Sequence, residues 1–388
     1  MNSGEGWRGM SHTTIQELAE FGQSAWLDYI NRAMLENGKL KDLVAKGLRG
    51  LTSNPSIFNQ VISSSPDYDA RILQLKKGGR STFEIYDELT VADIRDAADI
   101  FTPVYEKTDG LDGYVSLEIN PKLANQVEPQ VNEGIRLFKK VNRPNLMIKV
   151  PATKAGLQVV EELTARGINV NATLIFSLEQ YVETAQSYLR GLKRLAGENS
   201  NLNHVRSVAS VFISRMDTAV DEQLEEILAD MTDSAKKSNV QSLKGRAAVA
   251  NSRIIFEKFK ELFAGNAFKS LEAKKANVQR VLWGSTSTKN PAYSDIKYVT
   301  ELIAQPTVNT IPEKTLNAFL DHGHVKDAFT YDVREAHAVI QDLKDLGIDV
   351  RHVCEDLLRD GVVAFEDAFD ALLASIEKKA AQLSTVKS

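Results

Sequence analysis

Cysteine is nearly missing from this chain of 388 residues: Cys354 stands alone, so no disulfide can form within it. A single thiol fits a reducing cytoplasmic location, and Cys354, in the polar, helix-like stretch 352–360, is expected to be inert. Histidine is sparse as well. His322 and His324 form an isolated His-x-His without a third ligand in view, and His12, His204, His337 and His352 are scattered. Neither a metal site nor a Ser–His–Asp arrangement is expected from them. No segment reaches the ~18 consecutive apolar residues of a membrane span. Residues 1–11 are polar and lack the apolar core of a secretory signal, so a disordered tail is expected there, with Met10 nearer the natural start. Neither sign of charge dominates: 47 basic and 52 acidic residues leave a net −5, well mixed along the chain. Without a basic block to follow nucleic-acid phosphates, that partner class is set aside along with the membrane. There is also no glycine-rich phosphate loop and no internal repeat.

What is present is a core-forming composition, 43% hydrophobic and 26% charged, with a regular alternation of patterns. Short apolar, β-branched runs occur at 24–30, 48–53, 112–119, 145–151, 168–175, 205–213, 280–286 and 307–311. Between most of them lie amphipathic stretches with helical period, such as 155–166, 178–196 and 295–303. Strands alternating with helices imply a parallel sheet with helical crossovers. Eight such runs favour a (β/α)8 barrel over an open doubly wound sheet. Further helical material at 58–109, 217–271 and 321–381 reads as insertions and a C-terminal helical tail on one barrel spanning 12–388. The charged, alanine-rich end 376–388 is expected to fray.

Polar residues at the downstream ends of apolar strands carry the chemistry, because in a parallel barrel those ends form the functional face. Residues two apart share a face. Trp26 pairs with Asp28, Thr52 with Asn54, Ser116 with Glu118, Met147 with Lys149, Asn171 with Thr173, and Ser210 with Phe212. One lumen can thus receive Asp28, Asn54, Glu118, Lys149, Asn171, Thr173 and Ser210, a set of hydrogen-bonding groups suited to a polyol. Lys149 is the sharpest signal, since both flanks of Asn145-Leu-Met-Ile-Lys-Val-Pro151 are apolar. Burying an ammonium costs several kcal/mol unless it is paired or loses its proton. A desolvated lysine is drawn toward the neutral amine that attacks carbonyls. The plainer alternative is a structural ion pair from Lys149 to Glu118 or Asp28. Asp28 and Glu118 could equally be helix caps or satisfied core charges. The segment Trp283-Gly-Ser-Thr-Ser-Thr-Lys289 ends the seventh run ahead of a helix expected from about 295. Its hydroxyls, backbone N–H groups and Lys289 suit a phosphate monoester, and so does the guanidinium of Arg215. Against this stand a solvated turn for the first and a surface pair with Asp217 for Arg215.

In these residues the chain resembles the transaldolase family, in particular its longer bacterial subfamily. The resemblance rests on Trp26-Leu-Asp28, Leu51-Thr-Ser-Asn-Pro-Ser-Ile-Phe58, Val115-Ser-Leu-Glu118, Met147-Ile-Lys-Val-Pro-Ala-Thr153, Gly167-Ile-Asn-Val-Asn-Ala-Thr-Leu-Ile-Phe-Ser177, Ser210-Val-Phe-Ile-Ser-Arg215 and the stretch 282–291. It implies a class I aldolase barrel, without cofactor or metal, that transfers a dihydroxyacetone unit between sugar phosphates. By matching motif, Lys149 would form the imine and Asp28 would act as acid/base on the sugar hydroxyl. Glu118 and Thr173 would hold the water of the imine steps. Asn54, Asn171 and Ser210 would bind the dihydroxyacetone hydroxyls, with Thr52 and Phe212 lining the site. Phosphate would fall to Arg215, Ser287 and Lys289, the last standing where many relatives carry arginine. A lysine there is a point charge without the arginine fork. The partners implied are small-molecule sugar phosphates, with a homo-oligomer left open. A fructose-6-phosphate aldolase-type enzyme, or a catalytically inactive sugar-phosphate binder, are the alternatives.

Overall fold

The computed structural model describes residues 12–198, 201–330 and 332–385. The eight expected runs become eight strands: β1 (Gln23–Asp28), β2 (Gly50–Thr52), β3 (Tyr114–Glu118), β4 (Leu146–Pro151), β5 (Val170–Ile175), β6 (Ser207–Phe212), β7 (Gln279–Gly284) and β8 (Thr307–Ile311). Each pairs in parallel with the next, and β8 pairs with β1, closing a (β/α)8 barrel. The expectation for residues 1–11 lies outside the described residues.

The lumen is built in layers set by the two-residue alternation along each strand. Trp26, Tyr114, Met147, Val208, Leu282 and Val308 form a separate apolar cluster inside the barrel. Below it, at the upstream end, Arg280 donates to Ser24 Oγ (2.9 Å) and to Asp112 Oδ1 (2.8 Å), satisfying a buried charge. Two residues downstream of the apolar layer come Asp28, Lys149, Ser210 and Thr310, so the functional face is polar. Glycine is required at Gly50, where an added Cβ would stand 2.6 Å from the Trp26 ring. The register of β5 against β6 shifts between Ala172 and Ile175, and Leu174 there adopts φ +61°. Thr173 thus sits at the irregularity rather than in a uniform ladder.

The outer layer holds the crossover helices, including Lys154–Ala165 and Leu178–Glu198, close to the spans expected. The insertions are helical, with Thr82–Lys107 the longest in the first and Ala247–Ala264 the longest in the second. Two expectations are corrected. The helix expected from about 295 to 303 is one turn only, Lys297–Thr300, and the chain between Ser285 and it is loop. The C-terminal end does not fray over the described residues: a helix runs from Val350 to Thr385. Ile376 and Ala380 on it are buried. Lys379 on it binds Asp69 (2.7 Å) and the carbonyls of Ile62 and Ser65. Charge and alanine content suggested a solvated end, but an apolar stripe beneath them packs on the helices Pro55–Ser64 and Asp69–Lys77.

Candidate active site

β4 delivers Lys149 to the cavity at the downstream end of the barrel, where it is 4% exposed. Its Nζ donates to the carbonyl of Ser53 (2.9 Å) and lies 3.2 Å from Glu118 Oε2. The ion pair weighed as the plainer alternative is therefore present, to Glu118 rather than Asp28, and it forms part of the cavity wall region. Burial pushes the Glu118 carboxyl above its ordinary range, against the pull of Lys149 and with a further push from Asp28. Burial raises Asp28 in the same way, opposed by Lys149 and by the Thr52 hydroxyl. Two carboxyls held up by desolvation beside one amine make a proton-exchanging group.

Asp28 is oriented through β2 and β8. Thr52 Oγ1 donates to Asp28 Oδ1 (2.8 Å) and stands 2.6 Å from Thr310 Oγ1. On the opposite wall, Ser210 Oγ donates to Asn171 Oδ1 (2.6 Å), and Asn171 Nδ2 donates to Ser116 Oγ (3.1 Å). Asn54 has a double duty: it lines the cavity, and its Oδ1 caps the helix Pro55–Ser64 by accepting from Ile57 N–H. Thr173 Oγ1 is buried without a hydrogen-bond partner among the described residues, whereas Glu118 Oε2 is held by Lys149. Unpaired buried oxygens are uncommon and mark a place for a ligand or water.

The rim carries the cations. Arg215 stands over the Phe212 ring at 5.6 Å, and burial pulls its basicity down. It makes no pair with Asp217: that carboxylate is buried and accepts from Ala248 N–H (2.7 Å) and Tyr298 hydroxyl (2.8 Å). Lys289 Nζ donates to Ser287 Oγ (2.9 Å). Among the described residues, neither Arg215 nor Lys289 lies within ion-pair distance of a carboxylate. Ser285, at φ +55°, turns the chain out of β7 so that Ser287 and Lys289 face the same cavity.

All twelve residues expected at the site converge. Eleven line one cavity of about 160 Å³, and Glu118 lies directly behind Lys149. Other residues line the cavity that were not expected, among them Thr310, Ser56, Pro312 and Phe365. Thr310 follows Val308 by two, so the alternation that identified Asp28 also applied to it. Ser56 follows the capping Asn54. Phe365 comes from the C-terminal helix, and nothing in its local pattern sets it apart from the apolar stripe around it. Among the described residues no three His, Cys, Asp or Glu cluster as metal ligands, and His322 is engaged by Asp295 and Asp321. No described helix is long and apolar enough to cross a membrane.

Comparison with known proteins agrees with this geometry. The family described as Transaldolase/Fructose-6-phosphate aldolase matches residues 25–376. A protein named Transaldolase from Trichodesmium erythraeum is 43% identical over 96% of this chain and 99% of its own length. Transaldolase 2 from a Nostoc species is 42% identical over 97% and 100%, and Transaldolase 1 from Streptomyces coelicolor 42% over 94% of each. With a buried lysine, two raised carboxyls and unpaired rim cations in one barrel mouth, and matches that span nearly its whole length, the chain belongs to the transaldolase/fructose-6-phosphate aldolase family.

Proposed function

We propose that this chain is a transaldolase, passing a dihydroxyacetone unit from sedoheptulose 7-phosphate to glyceraldehyde 3-phosphate through an imine on Lys149. The observation that carries the reading is the Lys149 nitrogen, buried at the cavity and flanked by Glu118 and Asp28. The amine adds to the C2 carbonyl of the ketose, and loss of water leaves a protonated imine. Asp28 takes the proton of the C4 hydroxyl, and the C3–C4 bond breaks. Its electron pair enters the imine as an enamine while erythrose 4-phosphate departs. Attack of the enamine carbon on the acceptor aldehyde reverses these steps, Asp28 returns the proton, and water hydrolyses the new imine to fructose 6-phosphate. The electron sink is organic, so this route needs no metal.

Glu118 and Thr173 hold the water of the imine steps, in keeping with the unpaired Thr173 hydroxyl beside the Glu118–Lys149 pair. Asn54, Asn171 and Ser210 bind the dihydroxyacetone hydroxyls, with Thr52 and Phe212 lining that end. Arg215, Ser287 and Lys289 take the phosphate, whose binding energy fixes the reacting carbons against Asp28. The barrel and its helices, 12–388, act as one catalytic unit, and a cytoplasmic location suits a chain with one thiol. An aldolase that releases dihydroxyacetone is the second reading, because the family description covers both activities.

The test is borohydride reduction with fructose 6-phosphate, followed by mass spectrometry. The adduct is expected on Lys149, and an adduct elsewhere sinks the assignment. Lys149→Ala is expected to abolish turnover while circular dichroism stays native-like.

A further inference from the structure

The helix Val350–Thr385 crosses the mouth of the barrel. It packs on the helix Pro55–Ser64, which begins after Asn54, and on the helix Ser214–Asp230, which carries Arg215. Where it passes Arg215 it has no side chain: a Cβ on Gly361 would stand 3.7 Å from Arg215 Nη1 and 3.1 Å from Leu174 Cδ2. One turn later Phe365, 4% exposed, lines the cavity with its ring centroid 5.8 Å from Lys149 Nζ. The helix is tied down beyond that point by Lys122 to Asp370 and by Lys379 to Asp69. The ring is therefore held in place as a fixed roof.

We infer that Phe365 is a positioning residue that sets the fate of the enamine, transfer to an acceptor aldehyde against release as free dihydroxyacetone. This rests on the imine reading above. Release requires a proton delivered to the enamine carbon, giving the dihydroxyacetone imine. Water then adds to the imine carbon, the carbon–nitrogen bond breaks, and the nitrogen leaves as the Lys149 amine. No redox partner enters. Transfer also ends in imine hydrolysis, so the site must admit water on one side only. Glu118 and Thr173 offer oxygens to such a water from the barrel side. From the roof side Phe365 presents a surface with neither donor nor acceptor. Its π-face also lies within reach of a cationic imine, which it attracts at about 6 Å. Truncating the ring opens the space beside Nζ to bulk water and its protons.

The test compares the parent with Phe365→Ala and Phe365→Leu, given fructose 6-phosphate and erythrose 4-phosphate. Free dihydroxyacetone and sedoheptulose 7-phosphate are measured together, and the adduct is trapped with borohydride. In Phe365→Ala the ratio of release to transfer is expected to rise about tenfold or more, a barrier change near 1.4 kcal/mol. Phe365→Leu, which keeps an apolar roof, is expected to restore most of the parent ratio. A ratio unchanged in Phe365→Ala while the Lys149 adduct still forms overturns the inference, as does an equal rise in both variants. If Phe365→Ala does not fold, Phe365→Val takes its place with the same two outcomes. Failure of the parent itself to trap at Lys149 would sink the imine reading instead.

Discussion

Lys149 and Asp28 stand one alternation step above Met147 and Trp26, and that step turns an apolar floor into a reactive layer. Asp28 must be ionised to accept the sugar hydroxyl proton. Burial holds its carboxyl up, so the carboxylate is lost at a higher pH than usual as the solution is acidified. The acid limb of kcat/KM against pH, which reports the free enzyme, is thus expected above the ordinary carboxylate value of about 4. A limb at or below that value would assign the proton to another group. Asp28→Asn is expected to lower kcat by about 10²–10⁴, the usual worth of a general base. At the rim, no carboxylate among the described residues lies within ion-pair distance of Arg215, which lines the cavity, so its charge is available to the substrate. Arg215→Ala is expected to cut kcat/KM for fructose 6-phosphate by about 10–100-fold, the loss of a charged hydrogen bond of about 1.5–3 kcal/mol. Unphosphorylated fructose should be little affected, and an equal loss for both sugars would place the phosphate elsewhere.

Among the elements, the strands were legible because a buried parallel strand writes itself locally, as four to eight apolar residues with a polar downstream end. Their ends moved by at most two residues, as at β2, which shrank to Gly50–Thr52. The C-terminal helix was misjudged at its end for a physical reason. Its surface face is charged and alanine-rich, while its buried face carries Phe365, Phe369, Leu372 and Ile376, one residue every three or four. Whether such a stripe is covered depends on a distant partner, here the helices near Asp69. Lys379 reports that docking. Lys379→Met is expected to lower unfolding free energy by about 1–3 kcal/mol, the cost of leaving charged and carbonyl partners unmatched. Urea unfolding at unchanged slope would measure it, and an unchanged midpoint would mean that the tie contributes nothing.

On the scale of the whole molecule, closure of the barrel and the helices around it leave Cys354 1% exposed. Burial first, and the nearby carboxylates second, push its thiol up to about 12. The thiolate is the reactive form. The native protein at pH 8 is therefore expected to resist a disulfide reagent such as dithiobis-nitrobenzoate, with one thiol reacting per chain only after unfolding. Prompt labelling of the folded protein would show that this corner opens readily.

Local pattern alone determined the eight-strand alternation, the polar strand ends and the lysine among apolar neighbours, since each depends on residues only two to four apart. Ring closure decided the rest. It put Thr310 of β8 against Thr52 of β2 across 258 positions. It chose Glu118 over Asp28 as the resting partner of Lys149, and it carried Phe365 from the far end of the chain to the roof of the site. Such contacts join segments whose own sequences are complete as strand or helix without them, so only the packed molecule contains the information.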